Sequence, residues 1–251
     1  MTLLETKGLT KNFFGLVALD KVDIQVRRGE MVGLIGPNGS GKTTLFNCIT
    51  GLIPPTSGKV FFKGEDITGL KTHEIALKGI SRTFQLIRIF PKLTVMENMV
   101  LAIQQFQGER ILGSILHTPH VRRMEKEARD KAIELLELFG IDHLKDEYAG
   151  NLSYGQRKLL EVGMGLMPDP EILLLDEPTS AVNPTMIKYM KSRIRELNEA
   201  GQTFFIVEHN MDVVMDLCER IIVLDHGQKI AEGPPEKIRS DKKVIDAYFG
   251  A

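Results

Sequence analysis

A chain of 251 residues with 43% hydrophobic and 26% charged side chains has an ordinary globular composition and length enough for one large α/β domain. Its net charge of −1 at pH 7 argues against a nucleic-acid surface built on bulk charge. No apolar run approaches the ~18 residues of a membrane span, and Met1–Lys7 lacks the apolar region of a signal peptide. Action at a membrane would go through partners. Two cysteines, Cys48 and Cys218, fit a reducing, cytosolic setting better than a disulfide framework.

In chain order, Leu3–Thr6 and Val22–Val26 read as short strands, with a turn at Arg27–Glu30. Between them, Phe13 in the stretch Lys11–Gly15 is an aromatic with two readings: stacking on a nucleobase, or packing in a small sheet. The apolar run Met31–Ile35 reads as a buried strand, and Leu45–Ile49 as a helix ended by Gly51 and Pro54. The segment Gly36–Thr44 between them has the spacing G-x-x-x-x-G-K-[ST] in the strand–loop–helix setting that a phosphate-binding loop needs. Glycines let successive N–H groups turn around an anion, and the helix start adds unpaired donors. Lys42 reaches terminal phosphates in such a loop, and the Thr43 hydroxyl suits Mg²⁺.

Gly58–Phe62 follows as a strand, Thr72–Lys78 as a short helix and Ile80–Phe84 as a short strand. Leu86–Pro91 has the look of a subdomain boundary. Residues 92–167 are mostly helical in pattern, with Ala128, Ala132, Leu135, Leu136 and Phe139 on one face. Gly108–His120 is expected to be an irregular loop. Ser153 and Gln156 have capping-box spacing. The helix start they mark is either a simple cap or a second anion site.

Glu171–Asp176 is a continuous apolar run between prolines, as in a central parallel strand. It ends in Asp176 and Glu177. Ligands gather at the carboxyl ends of such strands, so both acids are expected to face the phosphate loop. A helix over Thr185–Ala200 precedes the buried strand Thr203–Val207. Glu208 and His209 then fall at the same sheet edge as the acids. Arg220–Ala231 reads as a hairpin, and the charged tail as helical over Lys242–Phe249.

The phosphate loop, Gln85, Leu152-Ser-Tyr-Gly-Gln156, Leu173-Leu-Leu-Asp-Glu-Pro178 and His209, in this order, resemble an ATP-binding subunit of ABC transporters over nearly the whole chain. The resemblance implies an α/β phosphate-loop NTPase core, a RecA-like mixed sheet with an N-terminal antiparallel β subdomain, plus an inserted helical subdomain. It divides one ABC domain into a core (1–85 and 168–231), a helical segment (86–167) and a tail (232–251).

For ATP and Mg²⁺ the resemblance implies the following roles. Gly36, Asn38, Gly39, Ser40, Gly41, Lys42, Thr43 and Thr44 cradle the phosphates, and Phe13 stacks on adenine. Thr43, Gln85 and Asp176 arrange Mg²⁺. Glu177 is the general base, and His209 contacts the γ-phosphate. Ser153, Gly155 and Gln156 serve the nucleotide held by a second ATP-binding subunit. Two membrane permease subunits, and indirectly an external solute-binding protein, are the further partners expected at the cytoplasmic face of the membrane. Nucleic acid is not expected.

Two positions depart from the commonest pattern: Tyr154 for a glycine, and Asn183 for an aspartate in the loop expected at the dimer interface. The Arg82–Asn98 stretch, the segment Gly113–Pro119, Tyr154 and Asn183-Pro184 look most like the branched-chain amino acid importers. Urea or amide importers, other ABC transporters and soluble ABC ATPases are the alternatives.

Overall fold

The structure is a computed structural model and describes residues 1–83, 87–103 and 119–249. Its first two strands, β1 (Thr2–Phe13) and β2 (Leu16–Arg27), form a long hairpin. Both run well beyond the stretches expected from sequence. The reason is the turn: Phe14 and Gly15 both have positive φ, 48° and 100°, and the Asn12 side chain accepts the Gly15 N–H at 2.8 Å. Two left-handed residues match the twist of a hairpin, so Lys11–Phe13 stay in the ladder.

β3 (Met31–Ile35) and helix α1 (Lys42–Ile49) flank the glycine-rich loop. β4 (Ser57–Phe62) and β5 (Glu65–Asp66) complete a four-stranded antiparallel sheet of order β2-β1-β4-β5. α2 (Thr72–Leu77) and β6 (Ile80–Arg82) follow. The helical stretch comprises α3 (Val95–Leu101), α4 (Pro119–Leu138) and α5 (Tyr154–Leu166). Of the loop expected over 108–120, residues 108–118 lie outside the described residues, and Pro119 and His120 are already helical.

β7 (Ile172–Asp176), α6 (Pro184–Glu199), β8 (Thr203–Val207), α7 (Met211–Leu217), β9 (Arg220–Asp225), β10 (Gln228–Gly233), α8 (Pro235–Ser240) and α9 (Lys242–Phe249) complete the described elements. The second sheet has the order β10-β9-β3-β8-β7-β6, parallel except for β10.

Alternation along the parallel strands divides the core in two. Val32, Leu34, Ile172, Leu174, Phe205 and Val207 face α1 and the antiparallel sheet, where Phe46 and Phe205 meet with ring centroids 5.0 Å apart. Met31, Ile35, Leu173, Leu175, Phe204 and Ile206 face the other way, onto residues of α3 to α8. Each central strand is therefore apolar on both faces, which is why β3, β7 and β8 are buried at every position. Ala132 and Leu136 of α4, and Phe139 just after it, belong to that second cluster, and Ala128 is buried as well. The helical stretch thus shares one continuous core with the sheet.

Both cysteines lie inside these clusters. Burial pushes the Cys48 thiol up to about 11 and raises that of Cys218 as well, so little reactive thiolate exists near neutral pH. A thiol reagent such as DTNB should leave the native protein unlabelled for minutes and titrate two thiols after denaturation. Immediate labelling of the native protein would show that these cores are open.

Candidate active site

β3, β8 and β7 all run toward the same edge of the sheet, so the loops that follow them converge. At Gly41, φ is +103°, and a Cβ there would lie 2.5 Å from the Ala18 carbonyl oxygen. Only glycine fits this turn into α1. α1 has no side-chain cap, which leaves its first-turn N–H groups for an anion. Lys42 folds back over the loop. Its Nζ donates to the carbonyls of Gly36 (2.7 Å) and Pro37 (2.9 Å) and to Ser40 Oγ (3.4 Å). Burial holds its ammonium below the usual lysine range, opposed by the charges of Glu177 and Asp176.

A cavity of about 390 Å³ is lined by Phe13, residues 38–44, Glu177 and His209. Phe13 ends β1 of the small sheet, and its side chain, 38% exposed, stands on the cavity wall. Lys11 Nζ lies 5.0 Å from its ring centroid.

Glu177 is held in the left-handed region, φ +51°, an uncommon conformation for a residue with a Cβ. Its N–H donates to the Val207 carbonyl at 2.8 Å, and His209 Nε2 meets its carboxylate at 2.7 Å. The neighbouring Glu208 is buried and joins two of the converging loops. One of its oxygens accepts the Thr179 N–H and hydroxyl at 2.8 and 2.6 Å. The other accepts the His209 N–H at 3.1 Å.

Of the two acids expected to face the phosphate loop, Asp176 does not line this cavity and is 3% exposed. Arg82 pairs with it at 2.8 Å, donates to Asn47 at 2.7 Å and stacks over Phe46, 5.4 Å from the ring centroid. Sequence patterns give neither Arg82 nor Glu208 a role. For Arg82 the available signal was its position at the end of a short strand next to a strand ending in acids.

Gln85 lies outside the described residues. Ser153, Gly155 and Gln156 do not line the phosphate-loop cavity. Ser153 and Gln156 form the capping box: Gln156 Oε1 accepts the Ser153 N–H at 2.9 Å, and Ser153 Oγ accepts the Gln156 N–H at 3.3 Å. Tyr154 is 42% exposed, directed away from the core. A Cβ on Gly155 would come within 2.9 Å of Met186 Cγ. Asn183 caps α6, accepting the Met186 N–H at 2.9 Å, a bond an aspartate oxygen would make equally. A larger cavity of about 620 Å³ lies against the antiparallel sheet. Its cationic residues, Lys7, Arg27, Arg220 and Lys229, are interleaved with Glu5, Asp23 and Glu232, and it has neither a glycine-rich loop nor a helix start, so phosphate chemistry belongs to the smaller cavity.

A doubly covered, mostly parallel sheet with this loop at its carboxyl edge is the framework of a phosphate-loop ATPase. Residues 19–180 match the ABC transporter family, and residues 228–251 match a family described as branched-chain amino acid ATP-binding cassette transporter. The chain is 44% identical over 251 residues to the probable branched-chain amino acid transport ATP-binding protein LivG of Archaeoglobus fulgidus, covering 100% of this chain and 96% of that one. It is 41% identical over 249 residues to the high-affinity branched-chain amino acid transport ATP-binding protein BraF of Pseudomonas aeruginosa, covering 99% and 98%. The crystal structure of the ADP conformation of an ATP-binding cassette of an ABC transporter superposes with a TM-score of 0.87 at 38% identity, covering 100% of both chains. The dimeric post-hydrolysis structure of another cassette, bound to ADP and Pi, gives 0.78 at 28% identity, covering 93% and 99%. The chain belongs to the ABC transporter family, as an ATP-binding subunit that hydrolyses ATP.

Replacing Arg82 by Met would leave the buried Asp176 carboxylate without this partner, which costs about 3–5 kcal/mol. Urea denaturation should register that loss, and the double variant Arg82→Met/Asp176→Asn should recover part of it. An Arg82→Met protein as stable as the parent would show that the pair is not strongly coupled.

Proposed function

We propose that this chain energises the import of branched-chain amino acids through a separate membrane permease, working as one of a pair of ATP-binding subunits. The observation that carries the solute class is similarity along the entire chain to two branched-chain amino acid transport subunits, together with the separate match of the tail. The membrane is reached through partners: among the described residues no helix is long and apolar enough to cross it.

In this reading the backbone amides of Gly36 and of residues 38–44, together with the Lys42 side chain, hold the β- and γ-phosphates, and Phe13 stacks on adenine. The Thr43 hydroxyl and the Asp176 carboxylate are hard oxygen donors, the set that suits Mg²⁺ carried on phosphates; with Gln85 they would hold the ion, which neutralises charge on the phosphate oxygens. Glu177 takes the proton of the attacking water. His209, already bonded to Glu177, keeps that carboxylate turned into the cavity. Ser153, Gly155 and Gln156 complete the site of the opposing subunit, so each site is shared and ATP joins the pair. The core (1–85 and 168–231) carries the nucleotide, and the helical segment (86–167) meets the permease.

Replacing Glu177 by Gln removes the base and keeps the shape. ATP affinity should stay within a few-fold, while turnover falls about 10²- to 10⁴-fold and a closed dimer accumulates with ATP on gel filtration. Parental turnover would overturn the assignment of the base. For the solute, the complex isolated with its native permease should show ATPase activity stimulated by leucine, isoleucine or valine. Stimulation by urea alone would overturn the branched-chain reading.

A further inference from the structure

Lys158 sits on α5, about one turn after the helix start that carries Ser153 and Gly155, and its side chain is 1% exposed. A lysine is almost never this buried without partners that repay its lost hydration. The rest of α5 explains why the side chain is inside: Leu159, Leu160, Val162 and Leu166 pack into the same cluster as Leu173 and Leu175 of β7. The helix therefore lies along the strand that ends in Asp176. Lys158 Nζ reaches past that strand to the Glu177 carbonyl oxygen at 3.4 Å. It also lies 3.6 Å from the carboxylate of Glu161, itself buried. The Glu177 carbonyl accepts the Ser180 N–H as well, at 3.2 Å.

Glu177 needs such anchoring. Its left-handed backbone, φ +51°, persists only where surrounding contacts over-determine it. Its N–H is held from β8, its carboxylate by His209 and its carbonyl by Lys158. The last contact comes from the helix whose start carries Ser153 and Gly155.

We propose that Lys158 is a positioning residue for ATP hydrolysis: its ammonium fixes the Glu177 peptide, and so ties the aim of that carboxylate to the placement of α5. The proposal rests on the reading of Glu177 as the base. A small misplacement of a reacting group costs up to about 10²-fold in rate, which sets the size of the effect.

The test is steady-state and single-turnover ATPase measurement on the full chain with MgATP. Lys158→Met should lower kcat about 10- to 100-fold with KM and ATP affinity within twofold, and Lys158→Arg should restore most of kcat. Because the change acts through Glu177, Lys158→Met should add no further loss in a Glu177→Gln background. If Lys158→Met alone folds poorly, Lys158→Met/Glu161→Gln removes both buried charges and should show the same kcat loss. Parental kcat in that paired variant would mean that Lys158 only balances Glu161, and would overturn the proposal. So would an additive loss in the Glu177→Gln background, or a loss of ATP affinity in parallel with kcat. An active Glu177→Gln protein would instead overturn the base assignment. An inactive Glu177→Gln beside fully active Lys158 variants would overturn only the role of Lys158.

Discussion

Leu34, Val207 and Asp176 form one row across three parallel strands, and this register governs where the chemistry can occur. One or two residues beyond the row, the chain delivers the start of the glycine loop, the Glu208-His209 pair and Glu177. A parallel sheet holds this row only because both its faces are dry. A polar residue in the middle of β3 or β8 would have to be buried on one side or the other at a substantial cost. The loops, in contrast, are fixed by polar contacts: Glu208 to the Thr179 loop, His209 to Glu177, and Lys42 to the carbonyls of its own loop. Apolar burial sets the row, and hydrogen bonds set the loops that leave it.

Local patterns made much of this legible in the sequence. Met31–Ile35, Ile172–Asp176 and Thr203–Val207 are unbroken apolar runs between turn residues, and each forms a central strand. Gly36–Thr44 is written within nine residues, so its setting can be read without knowing any distant partner. The capping box at Ser153 is likewise local, and it forms. Non-local features were not legible. Arg82 and Lys158 are charged residues that periodicity would assign to solvent, yet both side chains are buried. The partners of Arg82, Asp176 and Asn47, are distant in sequence, and so is the Glu177 carbonyl that Lys158 reaches in addition to its neighbour Glu161, so only the fold reveals these contacts. The long β1–β2 hairpin was missed for another reason: its turn uses Phe14-Gly15 rather than the Asn-Gly or Asp-Gly that usually announces two left-handed residues.

The helical stretch is connected to the sheet twice over. Apolar residues of α5 lie against β7 in one core cluster. At the helix start, Gly155 leaves room for Met186 of α6, whose N–H is capped by Asn183. The first turns of α5 and α6 thus lie side by side within one chain. Loss of the aspartate charge at residue 183 leaves that mechanical link in place, because the cap needs an oxygen and not a net charge.

The strand order also has a consequence for biosynthesis. β3 carries the phosphate loop, yet its two ladder partners are β8 and β9, so Met31 must wait for Phe204 and Val32 for Arg220. At about 5–20 residues per second, the ribosome needs roughly 9–35 s to supply the first of those partners. During that interval an apolar strand and the hairpin sheet beside it have no finished core to enter. The nascent chain is therefore most exposed to aggregation before its last quarter is made, and chaperone capacity, more than the stability of the finished fold, should limit how fast this subunit can be produced.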